Sequence, residues 1–113
     1  REIAERYRAA LDGRPGLRVA RVDPRGEPSW VRFPVWVRDR AAAVAALAPH
    51  AVPGTWFSSV LEEATTPAAG GYREGTCPVA EQAGRHLVNL PTHPRVTRAD
   101  ADRITQALAA GVR

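Results

Sequence analysis

A chain of 113 residues makes one domain and buries ~65% of the surface its unfolded form exposes, so it folds without a disulfide or a metal. Apolar residues make up 44%, which excludes a disordered chain, and no apolar run reaches the about 20 residues of a membrane span. The net charge of +4 rests on sixteen basic residues, all of them arginine, so chemistry that runs through a lysine Schiff base cannot be completed by these residues alone.

In chain order, residues 2–12 read as a helix, with Ile3, Tyr7 and Leu11 at a spacing of four, and Gly13 supplies its stop. Residues 17–22 read as a short strand, and Asp23-Pro24-Arg25-Gly26-Glu27-Pro28 as a turn. Residues 29–38 alternate with period two. Val31, Phe33, Val35 and Val37 fall on one face, and Trp30, Arg32, Pro34, Trp36 and Arg38 on the other. The two strands form an antiparallel pair. Pro34 cannot donate to a ladder, so the second strand is bent there or has one free edge.

Asp39 is placed to cap an alanine-rich helix over 40–48, anchored by Val44 and Leu47 and ended by Pro49. Residues 54–60 read as a third short strand and 62–75 as a loop. Pro78 opens a helix to about His86, with Val79, Ala83 and Leu87 along one side. A strand over 87–90 follows, and Asn89 within it needs partners for its amide. Thr97 with Asp100 approximates a capping box for a last helix with Ala101, Ile104 and Leu108 inward, ended by Gly111. The fold class is α+β: a two-layer domain with a small antiparallel sheet near 17–22, 30–37 and 87–90, and helices mainly on one face.

Several chemistries are missing. The arginines of 1–40 are interleaved with Glu2, Glu5, Asp12 and Asp23, which argues for codon bias and against a nucleic-acid module. His50, His86 and His93 show no metal-ligand spacing. Cys77 before Pro78 reads as a small buried residue at a helix start rather than a nucleophile paired with His93. One cysteine and no basic-then-apolar leader set the expectation of a reducing, cytoplasmic setting. A start at Arg1 with no methionine sets the expectation that these residues are part of a longer protein.

From Gly71 to Leu108 the sequence becomes specific. It carries Gly71-Tyr72, Cys77-Pro78-Val79-Ala80-Glu81, Asn89-Leu90-Pro91-Thr92-His93-Pro94, and Asp100 with Ile104. This run resembles the end of DegT/StrS-type sugar aminotransferases, fold-type I enzymes that use pyridoxal phosphate. Phe33-Pro34-Val35 and Gly54-Thr55-Trp56-Phe57 fit more loosely, so the resemblance covers roughly residues 25–110. It implies a single domain over 1–113, the C-terminal small domain of such an enzyme. A large domain upstream would hold pyridoxal phosphate and the Schiff-base lysine, so no catalytic or cofactor-binding residue is expected in this chain.

The reaction implied moves an amino group from an amino-acid donor to a keto-sugar, nucleotide-linked by default, in a homodimer. This domain would form one wall of the cleft. Many members carry a Tyr-Pro-x-Pro-Leu-His stretch near the sugar, where this chain has Phe57-Ser58-Ser59-Val60-Leu61-Glu62. Glu62 therefore stands at the place of the family's His. That departure keeps open a non-catalytic binding or assembly domain. The substrate-binding candidates are Ser58, Glu62, His93 in its proline-flanked turn, and Arg95, which suits a phosphate or carboxylate. For His93 and Arg95 the structural reading competes: capping of backbone groups and plain exposure. Trp30 and Trp36 are expected to share one face, under a helix of this domain or against the large one.

Overall fold

The computed structural model describes residues 1–112. The elements are α1 (Glu2–Leu11), β1 (Leu17–Val19), β2 (Arg32–Val37), α2 (Arg40–Leu47), α3 (Pro78–His86), β3 (Leu87–Pro91) and α4 (Arg98–Gly111), with one 3₁₀ turn at Ala68–Gly70. The sheet is antiparallel in the order β1-β2-β3. Phe33, Val35 and Val37 of β2 and Val88 and Leu90 of β3 point to one face and are fully buried. Helices α1, α4 and α2 cover that face with Ala4, Tyr7, Leu11, Ala43, Leu47, Ala101, Ile104 and Leu108. The α+β reading holds.

Two of these helices are capped locally, and α1 is held by a tertiary bond. Asp39 Oδ1 accepts the Ala42 amide at 2.9 Å and caps α2. Thr97 and Asp100 make a full capping box at the start of α4. The alanines of α2 let α4 come close: a Cβ on Gly111 would lie 2.4 Å from that of Ala46. In α1, Tyr7 is fully buried, and its Oη donates to Pro91 O at 2.9 Å, which ties α1 to the end of β3. Arg6 forms a two-point bond with Asp102 of α4, both contacts 2.6 Å, across half-exposed surface where such a pair adds little.

The strands are shorter than the alternation predicts. The expected strand 17–22 ends at Val19. Asn89 exchanges both backbone hydrogen bonds with Gly54, at 2.8 and 2.9 Å, so its backbone points away from β2. Its partner Pro34 is therefore a non-hydrogen-bonded position toward β3 and faces β1. Continuing the register, Pro34 stands opposite Ala20 but has no N–H to offer it. Arg8 Nη1 takes the Ala20 carbonyl instead, at 2.8 Å, and the ladder stops.

The expected strand 30–37 begins only at Arg32. Val31 is not inward; it is 81% exposed, while Trp30 turns to the core and packs at a tilt of 44°, 5.1 Å from Phe33. A turn bond from the Val31 amide to Ser29 O breaks the period there. Trp30 and Trp36 consequently lie on opposite faces. The expected strand 54–60 reduces to one bridge, Gly54 with Asn89, because Ser58 and Ser59 turn back toward Glu62. On α3, Val79 is 81% exposed, and the helix packs through Gly84 rather than through the Val79 side.

Leu108→Ala should cost about 2–5 kcal/mol of stability, since it opens a cavity between α4 and the sheet. Tyr7→Phe, which keeps the volume and loses one hydrogen bond, should cost about 1 kcal/mol. Urea unfolding followed by circular dichroism measures both, and equal losses would contradict this account of the core.

Candidate functional site

The face of the sheet not taken by α1, α2 and α4 carries α3 and the long segment 52–77. Three anchors hold that segment. Gly54 is bonded to Asn89, and a Cβ there would lie 2.7 Å from Arg32 Nη1. The buried Asn89 amide donates from Nδ2 to Trp56 O, which gives it the partner it needs. Arg40 at the start of α2 donates to Gly84 O and to Thr55 O. Ser58 passes over Gly84, where an added Cβ would touch Ser58 O at an ordinary contact distance of 3.4 Å.

Glu62 closes the first turn of the segment. Its Oε1 accepts from the Ser58 and Ser59 amides and, at 2.9 Å, from Ser58 Oγ. The Ser58 amide, then its hydroxyl, hold the Glu62 carboxyl below its ordinary value, so it is an anion at neutral pH. The second turn is closed from α3. Tyr72 Oη donates to Glu81 Oε1 at 2.6 Å and accepts from the Cys77 amide at 2.8 Å. The Gly75 amide also donates to Glu81, at 2.6 Å. Gly71-Tyr72 and Cys77 through Glu81 are thus one hydrogen-bonded latch over the first turn of α3. Cys77 itself is exposed, not buried, because it serves at the open end of the helix through its backbone.

Between α3 and the segment lie two adjoining clefts. One, of about 420 Å³, is lined by Ser58, Pro67, Tyr72, Glu81 and Arg85; the other, of about 480 Å³, by Phe57, Leu61, Glu62, Ala80, Ala83 and Leu87. Ser58 lines the first cleft and Glu62 the second, and the bonds between them join the two walls. His93 and Arg95 are exposed in the turn between β3 and α4 and line neither cleft. Tyr72, Glu81 and Arg85 line the first cleft as well; the Gly71-Tyr72 and Cys77–Glu81 motifs are the sequence signal for the first two, and Arg85 has none. The wall offers carboxylate and hydroxyl acceptors over an apolar floor, suited to holding a polyhydroxylated ligand. It offers no amine: arginine stays protonated and cannot replace the lysine that pyridoxal phosphate requires, so these residues do not fit that cofactor. Among the described residues no cluster of His, Cys, Asp and Glu could hold a metal, and no helix is long and apolar enough to cross a membrane.

The latch has a pH signature. Glu81 pushes the Tyr72 phenol up to about 12 from 10.0, and Tyr72 in turn holds the Glu81 carboxyl below its ordinary value. Burial, helped by Asp100, pushes Tyr7 up to about 12 as well. A raised phenol stabilises the fold fully below pH 10 and loses that contribution as pH rises through about 12. The depressed Glu81 contributes above its ordinary carboxyl value and loses its share as pH falls through the lower folded one. Ultraviolet titration should show neither of the two tyrosines ionising near 10 in the folded chain. In Glu81→Gln one of them should shift down toward 10. A wild-type step at 10 would contradict the latch.

The sequence profile of the DegT/DnrJ/EryC1/StrS aminotransferase family matches residues 1–109. A comparison with curated proteins finds no match. Among solved structures, S. venezuelae DesV in complex with a ketimine intermediate is 27% identical with a TM-score of 0.82, over 96% of this chain and 30% of that one. The aminotransferase TlmJ from Streptoalloteichus hindustanus is 26% identical, with a TM-score of 0.76, over 97% and 30%. A DegT DnrJ EryC1 StrS aminotransferase from Brucella abortus shares the fold, with a TM-score of 0.80 at 24% identity, over 98% and 30%. The chain thus spans about 30% of the length of the solved structures it matches. With the family profile running through both the sheet and the latch, the chain belongs to the DegT/DnrJ/EryC1/StrS aminotransferase family.

Proposed function

We propose that these residues are the C-terminal small domain of a pyridoxal-phosphate aminotransferase that moves an amino group from an amino-acid donor to a nucleotide-linked keto-sugar. The observation that carries this reading is the family match over 1–109 in a chain that spans about 30% of its solved relatives and has no lysine. A large domain upstream would bind the cofactor and supply that lysine, and two such polypeptides would form the enzyme. Pyridoxal phosphate supplies the carrier for the amino group.

This domain's part is to bind and orient. Ser58 and Glu62, at the cleft wall, present acceptors to sugar hydroxyls. Arg95 is the candidate for a phosphate or carboxylate, and His93 a candidate substrate contact from its proline-flanked turn. The reaction would take place in the cytoplasm. One observation favours a second reading, a non-catalytic assembly domain: the Glu62 carboxylate, at the family's His position, is engaged by its own loop.

Mixed with pyridoxal phosphate and reduced with borohydride, the 113-residue chain should give no stoichiometric adduct at a defined residue and no transamination. The longer polypeptide should give one adduct, on a lysine outside 1–113. Peptide mapping distinguishes the two, and a stoichiometric adduct within 1–113 would overturn the assignment. In the active longer enzyme, Ser58→Ala should raise KM for the sugar and leave the half-reaction with the amino donor unchanged. Equal effects on both halves would favour the structural role of the 58–62 turn.

A further inference from the structure

The arginines are not spread evenly over the surface. Arg1, Arg6, Arg25, Arg85, Arg98 and Arg103 each sit on a carboxylate. Arg8, Arg18, Arg21 and Arg38 belong to the arginines with no ion pair among the described residues, and these four line one cleft and its adjoining notch at the β1 margin of the sheet. The first three rim a cleft of about 920 Å³ between α1, β1 and α3. Arg38, with His86, lines a notch that continues it past Arg18 and Trp36. The one acid in this lining, Asp12, already accepts its neighbour's amide, from Gly13, at 3.1 Å.

The floor of the cleft is apolar: Leu17, Pro34, Trp36, Val79 and Leu87, with Val79 left 81% exposed. Trp36 is clamped. Its indole stacks on His86 at 5.0 Å and 19°, and the Arg18 guanidinium lies 4.5 Å from its centroid. His86 is fixed in turn by a 3.0 Å contact of Nδ1 with Val37 O, which requires the proton on Nδ1. Arg18 is therefore held over the indole, while its N–H groups bond nothing among the described residues. Arg8, pinned to Ala20 O through Nη1, leaves Nη2 buried without a partner. Unsatisfied donors of this kind are costly unless an acceptor arrives.

An apolar floor rimmed by arginines, two of them held by their neighbours, with Asp12 as the one acid in the lining, has the composition of an interface core. The cleft is about 920 Å³, and its arginines come from α1, from β1 and from the chain just after it. That geometry suits a polypeptide surface better than a compact anion. We infer that this cleft receives an acidic, partly apolar surface of the large domain of the same aminotransferase. The inference rests on the reading under Proposed function, where solved relatives carry most of their length outside the matched part. It adds which face is covered and by what charge.

Arginine footprinting with phenylglyoxal, read by mass spectrometry, tests it on both forms of the protein. In the 113-residue chain Arg18, Arg21 and Arg38 should react like the exposed references Arg25 and Arg73. In the longer polypeptide those three should slow several-fold while Arg25 and Arg73 do not. Arg18→Glu with Arg21→Glu in the longer polypeptide should restore the reactivity of Arg38. The equal-charge control Arg25→Glu with Arg73→Glu should leave it protected, and tyrosine titration checks that the domain is folded in both. Unchanged reactivity in the longer polypeptide overturns the inference. So does protection of the 113-residue chain by pyrophosphate alone with no protection in the longer one, which would make the cleft a small-anion site. A borohydride adduct on an upstream lysine with free arginines sinks the docking surface only; protection without the adduct sinks the enzymatic reading only.

Discussion

Much of this domain depends on which way the backbone of Asn89 points. Because its N–H and C=O turn outward to Gly54, the long segment after α2 is fastened to the edge of β3 rather than left to wander. The buried side chain adds a bond to Trp56 O, so one residue fixes the segment through both backbone and amide. The same orientation sets the phase of the whole sheet. It makes Pro34 a position that needs no donor toward β3, which is why a proline is tolerated in the middle strand. The cleft wall with Ser58 and Glu62 is built on the segment so held.

The parts of the fold legible in the sequence were those whose cause is local. The Thr97/Asp100 box, the Asp39 cap and Pro78 at the first turn of α3 each act within a few residues, and each appears where the pattern places it. The inward faces of α4 and of Phe33, Val35 and Val37 are equally local, being matters of period. What was not legible depended on distant groups. The end of β1 is decided by a missing N–H on β2 and a guanidinium on α1. The exposure of Val31 follows from Trp30 finding Phe33 and Arg8, at 5.1 and 5.4 Å. Period two cannot report a phase slip that tertiary packing imposes.

The site divides in the same way. Glu62 and Ser58 were named from their place in a family pattern, and they are bonded to each other at the cleft. Tyr72 and Glu81 belong to the Gly-Tyr and Cys-Pro-x-Ala-Glu motifs, and the latch gives them their role: a phenol accepting one amide while sharing a carboxylate with another. Motifs of this kind hold a loop on a helix, and the cleft inherits its shape from them. The charge pattern carried a further signal. The excess of arginine in 1–40 looks like codon bias when counted, yet four of those arginines line one cleft and its notch, with Asp12 as the one acid there.

The early end of β1 also bears on how this domain behaves in company. A three-stranded sheet has two margins, and each is a template on which another chain can add a strand. At the β3 margin Gly54 occupies the backbone groups of Asn89. At the β1 margin only three residues are extended, the middle one is an arginine, and Arg8 holds the next carbonyl. A misfolded or newly made copy would find little continuous ladder to extend. The proline that shortens β1 thereby guards the polypeptide against edge-to-edge aggregation during synthesis and assembly, a benefit separate from anything its cleft binds.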